Sequence, residues 1–190
     1  MMYESAEMSK IIGWRPSPNA PIWEADGIDE PQGPFFRDLN IRHQVQSGPT
    51  CVLNTLSQLA RASGFDVGPE HFMGNVNTQS PHSWSKALEP FGMQLAYCNT
   101  DLRRLEYYID ELVELDDLFL VSFYSADPPY DPDSTGKLVV SHIVTLHRDE
   151  IIDTAKSGSF GICEATEYPR LDQPTKRIFR VVPAGHPRAV

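Results

Sequence analysis

The clearest periodic pattern in the chain is a run of apolar residues at helical spacing, directly after a cysteine. Apolar side chains recur three and four positions apart, at Val52, Leu53, Leu56, Leu59 and Ala60. This spacing predicts an amphipathic helix that buries one face. Gly48-Pro49 forms a turn before it, Thr50 is a good N-cap residue, and Gly64 supplies a stop. The pattern therefore places Cys51 in the first turn of a packed helix.

Further elements are predicted between residues 69 and 115. Two short helices are expected at 69–73 and 83–89, each beside a proline, and a strand is expected at 93–99. Apolar residues at helical spacing then predict a longer amphipathic helix over 101–115, with Thr100 as its cap.

The second half of the chain changes to strand patterns. Apolar runs of strand length predict strands at 118–124, 137–147, 150–154 and 177–182, with a short one at 160–163. Residues 127–136, with three prolines, are predicted as an exposed loop. Because helices come first and strands afterwards, the expected fold class is α+β.

The first 37 residues have a different composition. They are rich in proline, which predicts an extended and irregular segment, but they also contain Trp14, Trp23, Phe35 and Phe36. Disordered segments are poor in aromatic residues. We therefore expect residues 1–37 to form a lead-in docked on a single domain of residues 38–190.

Charge and cysteine count exclude several classes of protein. The formal charge of −10 argues against binding to nucleic acid or to an anionic membrane. No apolar run is long enough to span a bilayer, and no secretory signal pattern begins the chain. The three cysteines have no metal-ligand spacing, so we expect no disulfide framework, metal or cofactor. These features favour a cytoplasmic protein, although they leave export without a cleaved signal open.

Cys51 is the first candidate for chemistry. The start of a helix offers unpaired N–H groups and the positive end of the helix dipole, both of which favour a thiolate. The competing interpretation is structural, because cysteine is commonly buried as a small apolar residue.

A histidine and an aspartate in the strand region could complete a site with Cys51. His142 lies within a strand that is apolar on both faces, where a histidine needs a polar partner. If two or four residues connect the strands around Arg148-Asp149, His142 and Asp153 are diagonal neighbours on one face. A three-residue loop would bring His147 to that face instead. We favour His142 because His147 lies at the solvent end of the hairpin, and we expect the other histidines to be surface residues.

These residue types match nucleophilic catalysis by a thiol. An imidazole takes the thiol proton, a carboxylate orients the ring, and a nearby amide stabilises the oxyanion. Gln46, five residues before Cys51, is placed to supply that amide. Its alternative role is a local hydrogen bond within the turn.

The order of Gln46, Cys51, His142 and Asp153 resembles the papain-like cysteine peptidase superfamily. Ser47-Gly48-Pro49-Thr50-Cys51 is similar to the C39 peptidases that process bacteriocins, and the five-residue step from glutamine to cysteine is similar to the Josephin deubiquitinases. Many members place the glutamine six residues before the cysteine, where this chain has Val45. The resemblance covers about residues 38–154.

The resemblance implies a papain-like fold, in which the nucleophile helix packs on a C-terminal antiparallel sheet. It also implies that Cys51 is the nucleophile, His142 the base, Asp153 the orienting carboxylate and Gln46 the oxyanion donor. The expected activity is hydrolysis of a peptide or isopeptide bond in a peptide or protein, with a glycine-rich or ubiquitin-like tail as a candidate substrate feature.

Two alternatives remain open from the sequence. An acyltransferase or deamidase of the same fold would use the same four residues. A catalytically inactive module that binds an extended peptide or another protein would have no need of a reactive Cys51.

Overall fold

The computed structural model describes residues 19–48, 50–101, 103–124 and 142–190. These residues form an antiparallel sheet with helices on both faces, which confirms the predicted α+β class. The helices are α1 (Cys51–Ala62), α2 (Pro81–Leu88) and α3 (Ile109–Glu114). The strands are β1 (Met93–Tyr97), β2 (Leu118–Phe123), β3 (His142–His147), β4 (Glu150–Ile152), β5 (Ile162–Glu164) and β6 (Thr175–Pro183).

The strands lie in the order β1-β6-β2-β3-β4-β5, and each neighbouring pair is antiparallel. Every residue of β2 is buried, because the sheet is covered on both faces. Successive side chains along a strand point to opposite faces. Leu118 and Leu120 accordingly pack with α1 and α2, whereas Phe119 and Val121 pack with α3.

Helix α1 begins at Cys51, as predicted, and its apolar face is buried against the sheet. It ends in a Schellman arrangement, in which the N–H of Gly64 donates to Arg61 O at 3.0 Å and that of Phe65 donates to Ala60 O at 3.1 Å. Gly64 has a φ of +95°, a conformation that glycine adopts without a Cβ penalty. Thr50 occupies the N-cap position but makes no side-chain cap bond.

The single helix predicted over 101–115 is wrong. The described residues contain a short 3₁₀ turn, Leu105–Tyr107, followed by the six-residue α3. The N–H groups of Leu105 and Glu106 donate to the carbonyls of Gln173 and Leu171 at 3.1 and 2.8 Å. These tertiary hydrogen bonds replace the intrahelical ones, so local apolar periodicity did not decide the backbone here.

The remaining strands differ from prediction mainly at their ends. The observed β4 is shorter than the predicted 150–154, and β6 is longer than the predicted 177–182. The segment predicted at 69–73 is a 3₁₀ turn, Pro69–His71. Residues 137–141 of the strand predicted at 137–147, and the loop predicted at 127–136, lie outside the described residues.

Residues 19–37 contain no helix or strand; Phe36 packs against the core on the α1 side of the sheet, whereas the core residues before it lie on the opposite face. Ile22 and Trp23 are buried there, and the Ile22 N–H donates to the Glu111 carboxylate at 3.0 Å. Residues 1–18 lie outside the described residues, so the division into a lead-in of 1–37 and a domain of 38–190 stays a prediction.

Across the described ranges, none of the helices combines the length and the apolar character required to cross a membrane.

Candidate active site

A buried histidine and aspartate meet where β3 begins and β4 ends. The register pairs His147 with Glu150, so Arg148 and Asp149 form a two-residue connection, with Arg148 at a φ of +59°. This register makes His142 and Asp153 diagonal neighbours on one face. The Nε2 of His142 lies 2.8 Å from Oδ1 of Asp153, and both side chains are buried.

Cys51 contacts the same histidine from the start of α1. Its thiol lies against His142, whose hydrogen bonding and charge lower the pKa of Cys51, and the backbone N–H groups of Ile143 and Val52 act in the same direction. The structure thus brings Cys51, His142 and Asp153 together in one line of contacts.

The pKa values of Cys51 and His142 favour the charged forms of both side chains. Burial raises the pKa of Cys51, but the hydrogen bond and charge of His142 outweigh burial and leave that pKa below its usual value. Burial lowers the pKa of His142, whereas hydrogen bonds with Asp153 and Cys51 raise it to about 9. Together these shifts favour a thiolate beside an imidazolium.

Asp153 is held as a carboxylate by several donors. Burial acts against ionisation, but His142, the Ala155 N–H at 2.9 Å and a tyrosine hydroxyl lower the pKa of Asp153 to about 2. The donating hydroxyl belongs to Tyr168 and lies 2.8 Å from Oδ2. Both carboxylate oxygens are therefore engaged, which fixes the orientation of the group.

Tyr168 is a site residue that the sequence did not indicate. It follows a 3₁₀ turn, Ala165–Glu167, in a stretch without helical or strand periodicity. Its ring is buried against Phe123, which in turn packs edge-on against His142 at a centroid distance of 5.7 Å. No pattern in the sequence predicts this contact, because it depends on the path of an irregular connection.

Gln46 lies close to this site but is engaged in local hydrogen bonds. Its Nε2 donates to Gly48 O at 2.9 Å, and its Oε1 accepts from the Thr154 hydroxyl at 2.7 Å. The local bond in the turn, which the sequence left open, is present. Its backbone N–H also donates to Thr154 O at 2.8 Å, which ties the turn before Cys51 to the residue after Asp153.

The expectation that the remaining histidines are surface residues is wrong for His186. Its ring is buried between Trp23 and Phe35 on the opposite sheet face. His43 is half-buried, and its Nε2 lies 2.9 Å from Asp153 O. His147 contacts the carbonyls of Phe36 and Arg37 and does not reach Asp153.

Among the described residues, no group of three or more histidine, cysteine, aspartate or glutamate side chains is arranged to hold a metal ion.

Comparisons with known proteins gave one structural likeness. No family model matches the chain, and no curated protein matches it. A solved structure described as a candidate C39-like peptidase from Bacillus anthracis is similar, with a TM-score of 0.44 and 10% sequence identity over 78% of this chain and 96% of that chain. The Josephin likeness found no counterpart in these comparisons.

Proposed function

We propose that the protein is a papain-like cysteine peptidase or isopeptidase. The observation that carries this proposal is the line of contacts from the half-buried Cys51 through His142 to Asp153. A structural cysteine has no need of a histidine that lowers its pKa, nor of a carboxylate fixed through both oxygens. The same geometry is what nucleophilic catalysis by a thiol requires.

The reaction would proceed through an acyl-enzyme. The Cys51 thiolate adds to the substrate carbonyl carbon, and the His142 imidazolium gives its proton to the departing amine as the C–N bond breaks. Water then attacks the thioester while neutral His142 accepts a proton from it; the C–S bond breaks, the carboxylic acid leaves, and the Cys51 thiolate and His142 imidazolium are restored. Asp153 keeps the ring oriented throughout.

Two groups near Cys51 are candidates for stabilising the oxyanion. The proposed donors are a backbone N–H at the start of α1 and the side-chain amide of Gln46. In its present position the Gln46 amide donates to Gly48 O, so this role requires that bond to be exchanged for one to the substrate. The role of Gln46 stays a prediction.

The proposed substrate is a peptide or protein, and the proposed location is the cytoplasm. The formal charge of −10 supports the exclusion of nucleic acid and anionic membrane as partners. A glycine-rich or ubiquitin-like tail remains a substrate candidate that follows from the sequence resemblance.

Digestion of a complex peptide library tests the proposal. The wild-type protein should generate new amino termini that mass spectrometry detects, and Cys51→Ala should generate none. His142→Ala should slow cleavage at least about a hundredfold, since positioned acid–base groups contribute about that much. His82→Ala removes an exposed histidine and serves as the matched control.

The products also distinguish the alternatives. Conversion of glutamine to glutamate without cleavage would indicate a deamidase, and incorporation of an added amine would indicate an acyltransferase. Absence of all three products would contradict the peptidase and favour the binding module.

A further inference from the structure

A small pocket lies on the sheet face that carries α1. It has a volume of about 180 Å³. Ligand pockets for drug-sized molecules have volumes of roughly 300–1,000 Å³. The cavity is therefore of a size to take one side chain rather than a whole ligand.

Strand register places this pocket beside the nucleophile. Ser122 of β2, which lines the pocket, pairs with Ile143 on one side and with Arg177 of β6 on the other. The Ile143 N–H acts to lower the pKa of the Cys51 thiol. Two strand spacings amount to roughly 10 Å, so Arg177 lies about three extended residues from Ile143, the residue whose N–H acts on the thiol.

The pocket combines aromatic walls with positive charge. Trp84 and Tyr97 pack against Phe179, with ring centroids 5.8 and 5.2 Å apart. Arg177 and Lys176 also line the pocket, and Arg177 acts to lower the pKa of the Tyr97 hydroxyl, which burial nevertheless leaves raised. The Arg177 Nη1 donates to Lys176 O at 2.8 Å.

Both cations lack a carboxylate partner within the described ranges. The ion pairs there involve other basic residues, and the Lys176 ammonium lies over the Tyr124 ring at 5.8 Å. Arginine carries five N–H donors, so Arg177 retains donors beyond the one to Lys176 O. Among the described residues, this half-buried pair of cations therefore places positive charge without a matching carboxylate on a chain with a formal charge of −10.

We propose that this pocket binds an acidic side chain of the substrate, within three residues of the bond that is cleaved. Arg177 forms the charge-assisted hydrogen bonds, Lys176 adds positive charge, and the aromatic walls contact the methylene groups. This inference rests on the proposed peptidase function and specifies the substrate class.

Peptide aldehydes test the pocket without requiring turnover. An aldehyde adds reversibly to a thiolate, so its binding is measured as protection of Cys51 from iodoacetamide, with Cys163 alkylation as the internal reference. Pools of acetylated tetrapeptide aldehydes would carry glutamate or glutamine at one fixed position and mixed neutral residues elsewhere. At one of the fixed positions, the pool that carries glutamate should protect Cys51 at about a tenfold lower concentration than the pool that carries glutamine.

Three variants assign the preference to the pocket. Arg177→Gln should abolish the advantage of glutamate, and Lys176→Gln should reduce it. Arg148→Gln is the matched control. Arg148 follows β3 at the end away from His142, where it pairs with Asp116, and its replacement should leave the preference for glutamate unchanged. Circular dichroism checks that each variant is folded.

The outcomes separate this inference from the proposed function. Protection by both pools at equal concentration in the wild type would overturn the acidic-pocket inference and leave the peptidase proposal standing. A glutamate preference that survives in both Arg177→Gln and Lys176→Gln would do the same. If no pool protects Cys51 at any concentration, both proposals fail.

Discussion

At the scale of single residues, Asp153 connects the catalytic candidates to the rest of the protein. Its Oδ1 contacts His142 and the Ala155 N–H, and its Oδ2 accepts from Tyr168. Tyr168 does not touch Cys51, so it is a positioning residue for the carboxylate. Its effect on the reaction passes through the orientation and charge of Asp153.

Replacing Tyr168 with phenylalanine tests this positioning. Loss of the hydroxyl removes a donor that favours the ionised carboxylate, so the pKa of Asp153 should rise from about 2 and that of His142 should fall from about 9. We expect kcat to fall about tenfold with little change in KM. The measurements are peptide hydrolysis and the NMR titration of the His142 ring.

The exposed Tyr107 provides the control for that substitution. Tyr107→Phe should leave both the titration and the rate unchanged. An unaltered His142 titration in Tyr168→Phe would contradict the positioning role even if the protein were less stable.

The contact between His142 and Asp153 could be predicted because it depends on short-range rules. A two-residue connection and strand alternation are sufficient to place both side chains on one face. Tyr168 could not be predicted, because it reaches Asp153 from an irregular segment. The hydrogen bonds of Gln46 were equally beyond prediction, since they depend on how residues 46 and 154 meet in space.

At the scale of elements, α1 holds the candidate nucleophile and its end is set by backbone conformation. A Cβ at Gly64 would meet no atom within 4 Å, so a substitution there changes conformational energy without a clash. The positive φ is the physical reason that the glycine stop was predictable from the sequence.

Gly64→Ala should therefore destabilise the protein by about 1 kcal/mol, the cost of a left-handed conformation for an ordinary residue. Gly64→Asn should cost less, because asparagine tolerates this region better. Urea denaturation of both variants measures the difference. Equal stability of Gly64→Ala and wild type would contradict the C-terminal arrangement described for α1.

The element that could not be predicted is the 101–115 segment. Its apolar spacing is helical, yet two of its N–H groups bond to the 171–173 connection and Tyr108 turns back so that its hydroxyl accepts from the Asp101 N–H at 3.0 Å. Apolar periodicity indicates which side chains are buried but does not fix the length of the helix. In this segment a shorter helix and a 3₁₀ turn bury the apolar side chains.

At the scale of the whole molecule, a buried ion pair joins the residues before α1 to the sheet. Asp117 accepts from the N–H groups of Phe35 and Phe36 at 2.9 and 2.8 Å and from Nε and Nη2 of Arg180 at 3.0 and 2.6 Å. Both charged side chains are almost completely buried. The pair thus ties the backbone of residues 35–36 to the sheet, with Phe35 packed on the face opposite α1 and Phe36 on the α1 side.

Asp117→Asn should be strongly destabilising, because it leaves the Arg180 charge buried without a counter-charge. Removing one partner of such a pair costs roughly 3–5 kcal/mol. The neighbouring Asp116→Asn alters only exposed pairs with Arg37 and Arg148 and should cost less than about 1 kcal/mol. Similar urea midpoints for the two variants would contradict the buried arrangement.

The most direct test of the thiolate–imidazolium pair is the pH dependence of Cys51 alkylation by iodoacetamide. Cys163 is a second, partly exposed thiol in the same protein, and burial raises its pKa, so it reports ordinary or slower reactivity. Peptide mass spectrometry resolves the two sites in wild type and in His142→Ala.

The account predicts that Cys51 reacts faster than Cys163 well below the ordinary thiol pKa of roughly 8.5. This advantage should disappear in His142→Ala, because the imidazolium that stabilises the thiolate is absent. Titration of Cys51 as an ordinary thiol, or equal reactivity in wild type and His142→Ala, would contradict the catalytic interpretation of the site.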